Sequence, residues 1–416
     1  MNAMEEPPKS PASRPVRELL RSSDFLRLWL VGAFANAMRW LEMLASGLFA
    51  WELTGSALAV TVVVAVRQLP LLFLGAFAGA ISEAINRKLI LMTALLVAAV
   101  TSTLLATLAT TGHLELWHVA LGNLVSGTMW TTEMSTRRRM VGEAAGPHRI
   151  VQAIALDSAT NALTRMVGPL LGGLAFEWLH MRGAYTMTAL VQFAGAFALA
   201  GLVHTQVTRR LAVASIPGEI LEGLRYAWTR PTILLVFAVT VVTNLFAFCY
   251  TGLVAPLGLG EFHVSPALVG VLAAAEPTGA LLGGTLIAAG LLRMDRRLAF
   301  AGGAALFMVA LVIMAVSPVF WLALLVLFVG GFGTAGFGNM QSTLMLTEAP
   351  PEMRSRLMGL VTVGIGAGPL GILAVGALAG PLGPRGAVLA MAVAGLALTA
   401  WLAWALRQRP PAAPRV

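Results

Sequence analysis

Five charged residues stand in the middle of long apolar stretches: Arg39, Glu42, Arg67, Arg165 and Glu276. Placing such a group in hydrocarbon costs about 2.5–3.5 kcal/mol on insertion scales, so intramembrane charges usually mark a pathway. A carboxylate buried beside an arginine can exchange a proton, its affinity set by burial against the attraction of the cation. Glu276 suits that chemistry; the alternative is a permanent ion pair that fixes packing. Arg39 and Glu42 are three residues apart and therefore share a helix face. Arg39 suits an anionic group, and Glu42 suits a proton or a cationic group. Their alternative is a pair that satisfies itself within one helix.

The stretches that carry these residues belong to a chain of 416 residues, 58% hydrophobic and 11% charged, with a mean hydropathy of +0.82. A soluble domain carries about a quarter charged residues, so this composition belongs to a bilayer protein. Apolar runs fall near 25–51, 57–80, 89–111, 116–137, 150–176 and 183–205, then 231–255, 266–291, 298–316, 319–345, 357–380 and 386–406. Each is long enough to span as a helix and about twice too long for a barrel strand. The expected fold is an all-α integral membrane protein with twelve transmembrane helices. The single cysteine, Cys249, and six histidines offer no disulfide framework and no zinc spacing. The glycine-rich run Gly330–Gly338 lacks the Lys-Ser/Thr of a phosphate loop and lies in an apolar stretch, so it reads as close helix packing. No metal or cofactor is expected, and neither is an enzyme, because no nucleophile–base pair is present.

The basic residues orient the chain. With the N-terminus inside, the cytoplasmic segments hold 23 of the 28 lysines and arginines, and the outer loops hold only Arg182 and Arg385. Positive residues stay on the cytoplasmic side, so both termini are expected there, in a bacterial inner membrane. The net charge of +9 is then a topology signal, and no nucleic-acid partner is implied. The expected organisation is a disordered tail at 1–24, a six-helix bundle at 25–205 and a linker at 206–230 with an amphipathic stretch from Ile216 to Trp228. A second bundle follows at 231–406, and a tail at 407–416.

The two bundles repeat. A shift of 209 residues places Ser56 on Ser265, Gly75 on Gly284 and Arg87-Lys88 on Arg296-Arg297, and it also places Arg67 on Glu276. A shift of 200 places Gly168-Pro169-Leu170 on Gly368-Pro369-Leu370. Parallel six-helix repeats put a substrate site near the midplane between the halves and permit alternating access by rocking.

Three stretches carry a family resemblance: Phe25-Leu26-Arg27-Leu28-Trp29 with Leu53–Leu58, Asn161–Gly173 (NALTRMVGPLLGG), and Arg354-Ser355-Arg356-Leu357-Met358-Gly359. Over essentially its whole length the chain resembles the major facilitator superfamily. It is most similar to the bacterial branch of siderophore, macrolide and multidrug efflux proteins, the transmembrane secretion effectors. The resemblance implies that the run at 25–51 lines a central cavity, and that 150–176 lies against 266–291, making Arg165 a partner for Glu276. It also implies a gating, antiporter-type role for Asn161, Gly168, Pro169, Gly172 and Gly173. The superfamily's loop G-x-x-x-D-R-x-G-R-R is matched by Gly79, Glu83, Arg87 and Lys88, with its first arginine and second glycine missing; the latch this implies is either weaker here or rebuilt from Glu83 and Arg87. Glu133 and Asp157 are expected to pair with Arg137–Arg139 or Arg149, near the cytoplasmic surface.

The function these readings imply is a monomeric secondary transporter, exchanging protons for a small amphipathic drug, siderophore or metabolite. No nucleotide-binding domain is present, so an ion or substrate gradient must supply the energy. An importer or lipid flippase on the same fold is the nearest alternative. A non-transporting membrane sensor or assembly protein is a more distant one, since the short loops offer little docking surface.

Overall fold

The computed structural model describes residues 13–146, 148–202, 216–291 and 294–407. Residues 1–12, 206–215 and 408–416, which belong to the expected tails and linker, lie outside the described residues. Among those described there is no strand. Helix α1 (Ser13–Arg21) precedes α2 (Ser23–Thr54), α3 (Ala57–Ala84), α4 (Arg87–Thr110), α5 (Leu116–Ala145) and α6 (Ile150–Ala200). The linker contains α7 (Ile216–Thr229). The second half comprises α8 (Pro231–Val242), α9 (Pro266–Ala288), α10 (Arg296–Val316), α11 (Phe320–Glu348), α12 (Pro351–Ile365) and α13 (Gly368–Arg407). Residues 13–24, read from sequence as a disordered tail, are thus largely helical.

Local chemistry sets many of the boundaries. The Ser22 hydroxyl accepts from the Phe25 amide at 3.5 Å to open α2, and Gly55, at φ 61°, ends it in the left-handed conformation. Asn86 and Asp295 cap α4 and α10 through side-chain oxygens.

Two helices are too long for one crossing. The 51 residues of α6 would extend about 75 Å, against a hydrocarbon core of about 30 Å. The chain turns within it at His180, at φ 53°, and α13 turns at Gly383, at φ 70°. Among the described residues eight helical stretches are long and apolar enough to cross a membrane, with α6 and the α12–α13 stretch each counted once. Helices α2 and α5 fall outside the eight; Asn36, Arg39 and Glu42 lower the hydropathy of the first, and the charged end from Glu133 onward that of the second.

Beyond α8 the chain departs from regular helix, passing through π turns at Thr243–Ala247, 3-10 turns at Phe248–Leu253 and π turns at Pro256–Glu261. The sequence reading had a plain helix over 231–255. Such irregular turns leave carbonyls outside the regular ladder and are tolerated where surrounding protein buries them; Tyr250, Leu253 and Leu257 are each buried to 2% exposure or less.

The repeat is visible in packing. In the first half Gly127 of α5 lies against the backbone carbonyl of Arg67, and in the second Gly331 of α11 lies against the carbonyl of Glu276. A Cβ at either position would overlap backbone. The glycine run of α11 is therefore a packing surface, with Gly333 also lying against Gly303 of α10. Gly331→Leu is expected to prevent assembly of the second half, giving little monodisperse protein after detergent extraction. A well-expressed, normally melting variant would show that α9 and α11 can separate freely.

The halves meet mainly at one end. There Gly173 lies against Pro266 and Gly270, Trp51 against Gly260, and Thr61 against Gly376. Along α3 and α12 contact persists further, with Thr362 beside Gly75. At the opposite end, among the described residues, Arg87–Glu143, Arg137–Asp157 and Arg297–Glu348 are ion pairs within one half, and Arg356 of α12 pairs with Glu222 of the linker helix α7.

Candidate functional site

Four of the five mid-stretch charges form two ion pairs of different character. Within the first half, Arg67 of α3 meets Glu42 of α2 at 3.0 Å, both about 5% exposed. The other carboxylate oxygen of Glu42 accepts from the Ser102 hydroxyl at 2.8 Å, and Arg67 also donates to the Asn123 side-chain oxygen at 3.0 Å. Asn123 in turn donates to the Val63 carbonyl at 3.1 Å. Both carboxylate oxygens of Glu42 are engaged, as buried charge requires. The within-helix pairing of Arg39 with Glu42 is not made. Glu42 instead points to α3 and α4, where a stronger partner exists.

The second pair spans the halves. Arg165 of α6 meets Glu276 of α9 at 3.1 Å; Glu276 is 1% exposed, whereas the Arg165 side chain is about one-third exposed, 32%. The Thr334 hydroxyl of α11 donates to the second oxygen of Glu276 at 2.5 Å and lies 2.9 Å from the Gly331 carbonyl. A hydroxyl carries one proton and cannot serve both acceptors at once.

Arg39 stands apart. It donates to the Asn36 side-chain oxygen, and its guanidinium lies 4.5 Å from the Trp130 ring centre and 5.6 Å from that of Trp40. Trp40 receives Arg165 at 5.6 Å as well. Asn36 donates to Thr164 and, at 2.8 Å, to the Asn161 oxygen, which ties α2 to the glycine-rich part of α6. Gly168 and Gly172 let α6 close onto the backbone of Ala37 and Leu41, and Gly173 faces α9, beside Pro169, whose carbonyl reaches Gly270. One short segment therefore contacts both halves.

At the joined end, the Glu177 carboxylate accepts from the Ala267 amide in the first turn of α9 at 2.8 Å. An acid at a helix N-terminus is favourable by about 0.3–1 kcal/mol. Glu177→Ala is accordingly expected to shift the balance toward opening of this end by about two- to fivefold, read as longer spin-label distances between 177-flanking and 267-flanking sites. Unchanged distances would remove this contact from the closure.

At the other end lie Arg87 and Lys88 of the expected latch. Arg87 pairs with Glu143 of α5 at 2.5 Å, joined by Arg139 at 3.7 Å, and Lys88 donates to the carbonyls of Ala200 and Leu202, both at 2.8 Å. The surroundings of Gly79 and the side chain of Glu83 lie outside what the structure describes. Arg137 takes Asp157 at 2.5 Å and lies 4.0 Å from Glu133, with Gly32 making room for it. Ser102, Asn123, Asn36 and Thr334 are site residues that the sequence reading missed; an amide within an apolar run, as at Asn36 and Asn123, is the signal that marks two of them.

The chain matches the family described as transmembrane secretion effector over residues 18–413. It is 27% identical over 364 residues to the multidrug efflux pump Tap of Mycolicibacterium fortuitum, covering 83% of this chain and 86% of that one. It is 29% identical over 208 residues to the inner membrane transport protein YnfM of Escherichia coli (strain K12), about half of each chain (49% and 48%). Among solved structures, a bacterial homolog of the human lysosomal transporter Spinster, inward-facing and unoccupied, superposes with a TM-score of 0.74 at 14% identity, covering 95% of this chain and 98% of the other. A mutant of the nucleoside transporter NupG gives 0.71 at 15% identity, covering 92% and 98%. With a family match across nearly the whole length and a shared fold in solved transporters, the chain belongs to the transmembrane secretion effector family and is a multi-pass membrane transporter of the major facilitator type.

Proposed function

We propose that this protein is a proton-coupled exporter of small amphipathic molecules, a drug, siderophore or metabolite, acting as a monomer in a bacterial inner membrane. On this reading it crosses twelve times, the kinked α6 and the α12–α13 stretch each supplying two crossings, with both termini cytoplasmic. The end at which the halves meet is then periplasmic, and the cavity opens to the cytoplasm. The relationship to a multidrug efflux pump supports the outward direction.

The observation that carries the coupling reading is the Arg165–Glu276 pair, because its two members belong to different halves. Rocking moves one half against the other, so a pair across the seam changes between states. The Arg67–Glu42 pair travels within one half and is preserved. Protonation of Glu276 removes the attraction holding Arg165, and the cation is left partly exposed against Trp40. Thr334 reads the change: its proton goes to a charged Glu276, and turns to the Gly331 carbonyl when Glu276 carries its own. Asn161, Gly168, Pro169, Gly172 and Gly173 would serve as the flexing element beside that pair, and Gly79, Glu83, Arg87 and Lys88 as the cytoplasmic latch, with Glu143 and Arg139 joined to Arg87.

The test is transport in everted vesicles with an imposed inward-acidic pH gradient. Accumulation of probe that collapses with the gradient supports proton-coupled export. Uptake only in right-side-out vesicles would establish the importer, and movement of labelled lipid alone the flippase.

A further inference from the structure

We infer that the transported molecule carries an anionic group on a flat apolar body, and that Arg39 with Trp40 and Trp130 receives it. This rests on the transporter reading above and names its substrate class.

Glu42 with Arg67 and Glu276 with Arg165 balance one another, which leaves Arg39 as the odd cation of the mid-stretch set. Among the described residues no carboxylate lies within salt-bridge distance of it. The acid that acts on it most strongly through space is Glu133 of α5, which lies near Arg137, itself paired with Asp157. The cations Arg67, Arg137 and Arg165 all add positive field at Arg39. An uncompensated guanidinium deep in a bilayer protein is costly and calls for an anion.

The surroundings hold that guanidinium in place. Both amide hydrogens of Asn36 are directed to α6, toward Asn161 and Thr164, so its oxygen is left to orient Arg39. The indole N–H groups of Trp40 and Trp130 are buried without any acceptor, although buried donors are nearly always paired. A carboxylate, sulfonate or phosphate oxygen would satisfy the guanidinium and the indoles together, as charge-assisted hydrogen bonds. The two indole rings then offer apolar faces to the body of the molecule. A cationic drug would meet an excess positive charge at the same place.

The experiment uses the purified full-length chain and two probes of one shape and opposite charge, naphthalene-2-sulfonate and 2-naphthyltrimethylammonium, followed by isothermal titration calorimetry. Wild type is expected to favour the sulfonate by about tenfold or more, as expected for a charge-assisted contact. Arg39→Gln should erase that preference, Arg39→Lys should keep part of it, and Trp130→Phe should weaken the sulfonate severalfold. Unchanged thermal unfolding of each variant separates lost binding from lost fold. Equal binding of the two probes, preference for the cation, or no sulfonate binding up to about 1 mM would overturn the inference, even where gradient-driven transport persists. Conversely, sulfonate binding that depends on Arg39 in a protein whose transport ignores the pH gradient would keep it and remove the coupling. Competition by short-chain phosphatidylglycerol but not phosphatidylcholine would assign the anion to a lipid headgroup, and absence of competition to a free solute.

Discussion

Glu276→Gln is expected to reduce pH-gradient-driven transport to the level of vesicles lacking the protein, while substrate binding and thermal stability stay near wild type. The amide keeps the shape of the carboxyl group and a hydrogen bond to Thr334, but it neither binds nor releases a proton. It also imitates the protonated state permanently, so the Arg165 contact across the seam no longer switches. The expectation is specific to this carboxylate because its partner sits on the opposite half. Counterflow of substrate, which needs no proton cycle, should survive at within about threefold of wild type. Full gradient-driven transport by the variant would remove Glu276 from the mechanism and move the coupling to another acid.

Arg67→Met should behave in the opposite manner, as a failure of folding. It leaves Glu42, 4% exposed, without its cation, and removing one member of a buried pair typically costs about 3–5 kcal/mol. Thermal unfolding in detergent should show a large drop in Tm or no folded fraction. The double variant Glu42→Leu/Arg67→Met takes both charges away and should recover most of the loss, since replacing a whole buried pair by apolar side chains is often neutral. A single variant as stable as wild type would mean that water or a neighbouring group already screens Glu42. Transport by a stable double variant would further establish that this pair has no part in coupling.

Much of this molecule is legible from charge and hydropathy alone, because a bilayer forces its backbone into helices and makes every internal charge conspicuous. The pairing of Arg165 with Glu276 is anticipated through the family resemblance, which sets 150–176 against 266–291. The partner of Glu42 is not. Spacing within one helix favoured Arg39, whereas the choice depends on which way α2 is turned, a matter of packing against α3 and α4. The uncharged members of the sites, Ser102 and Thr334, give no signal, since serine and threonine are common in membrane helices and usually bond their own backbone; Thr103 and Thr107 do so here. The turn at His180 falls in the break between the apolar runs 150–176 and 183–205, but the residue that makes it carries no signal, as a histidine at positive φ is rare. The irregular stretch at 243–261 carries only Gly252, Pro256, Gly258 and Gly260 as hints.

The order of the two ion pairs along the chain bears on how the protein is made. In each, the helix synthesised first brings the charge that the later helix needs: Glu42 precedes Arg67, and Arg165 precedes Glu276. As α3 leaves the translocon its arginine finds a carboxylate already in the membrane, and α9 finds a guanidinium already waiting. Biosynthesis thus never requires Arg67 or Glu276 to face lipid alone. The charges that come first, Glu42 of α2 and Arg165 of α6, are held in the membrane until α3 and α9 supply their partners. Retention of α2 in the bilayer therefore depends on the arrival of α3, making these two helices a unit of insertion.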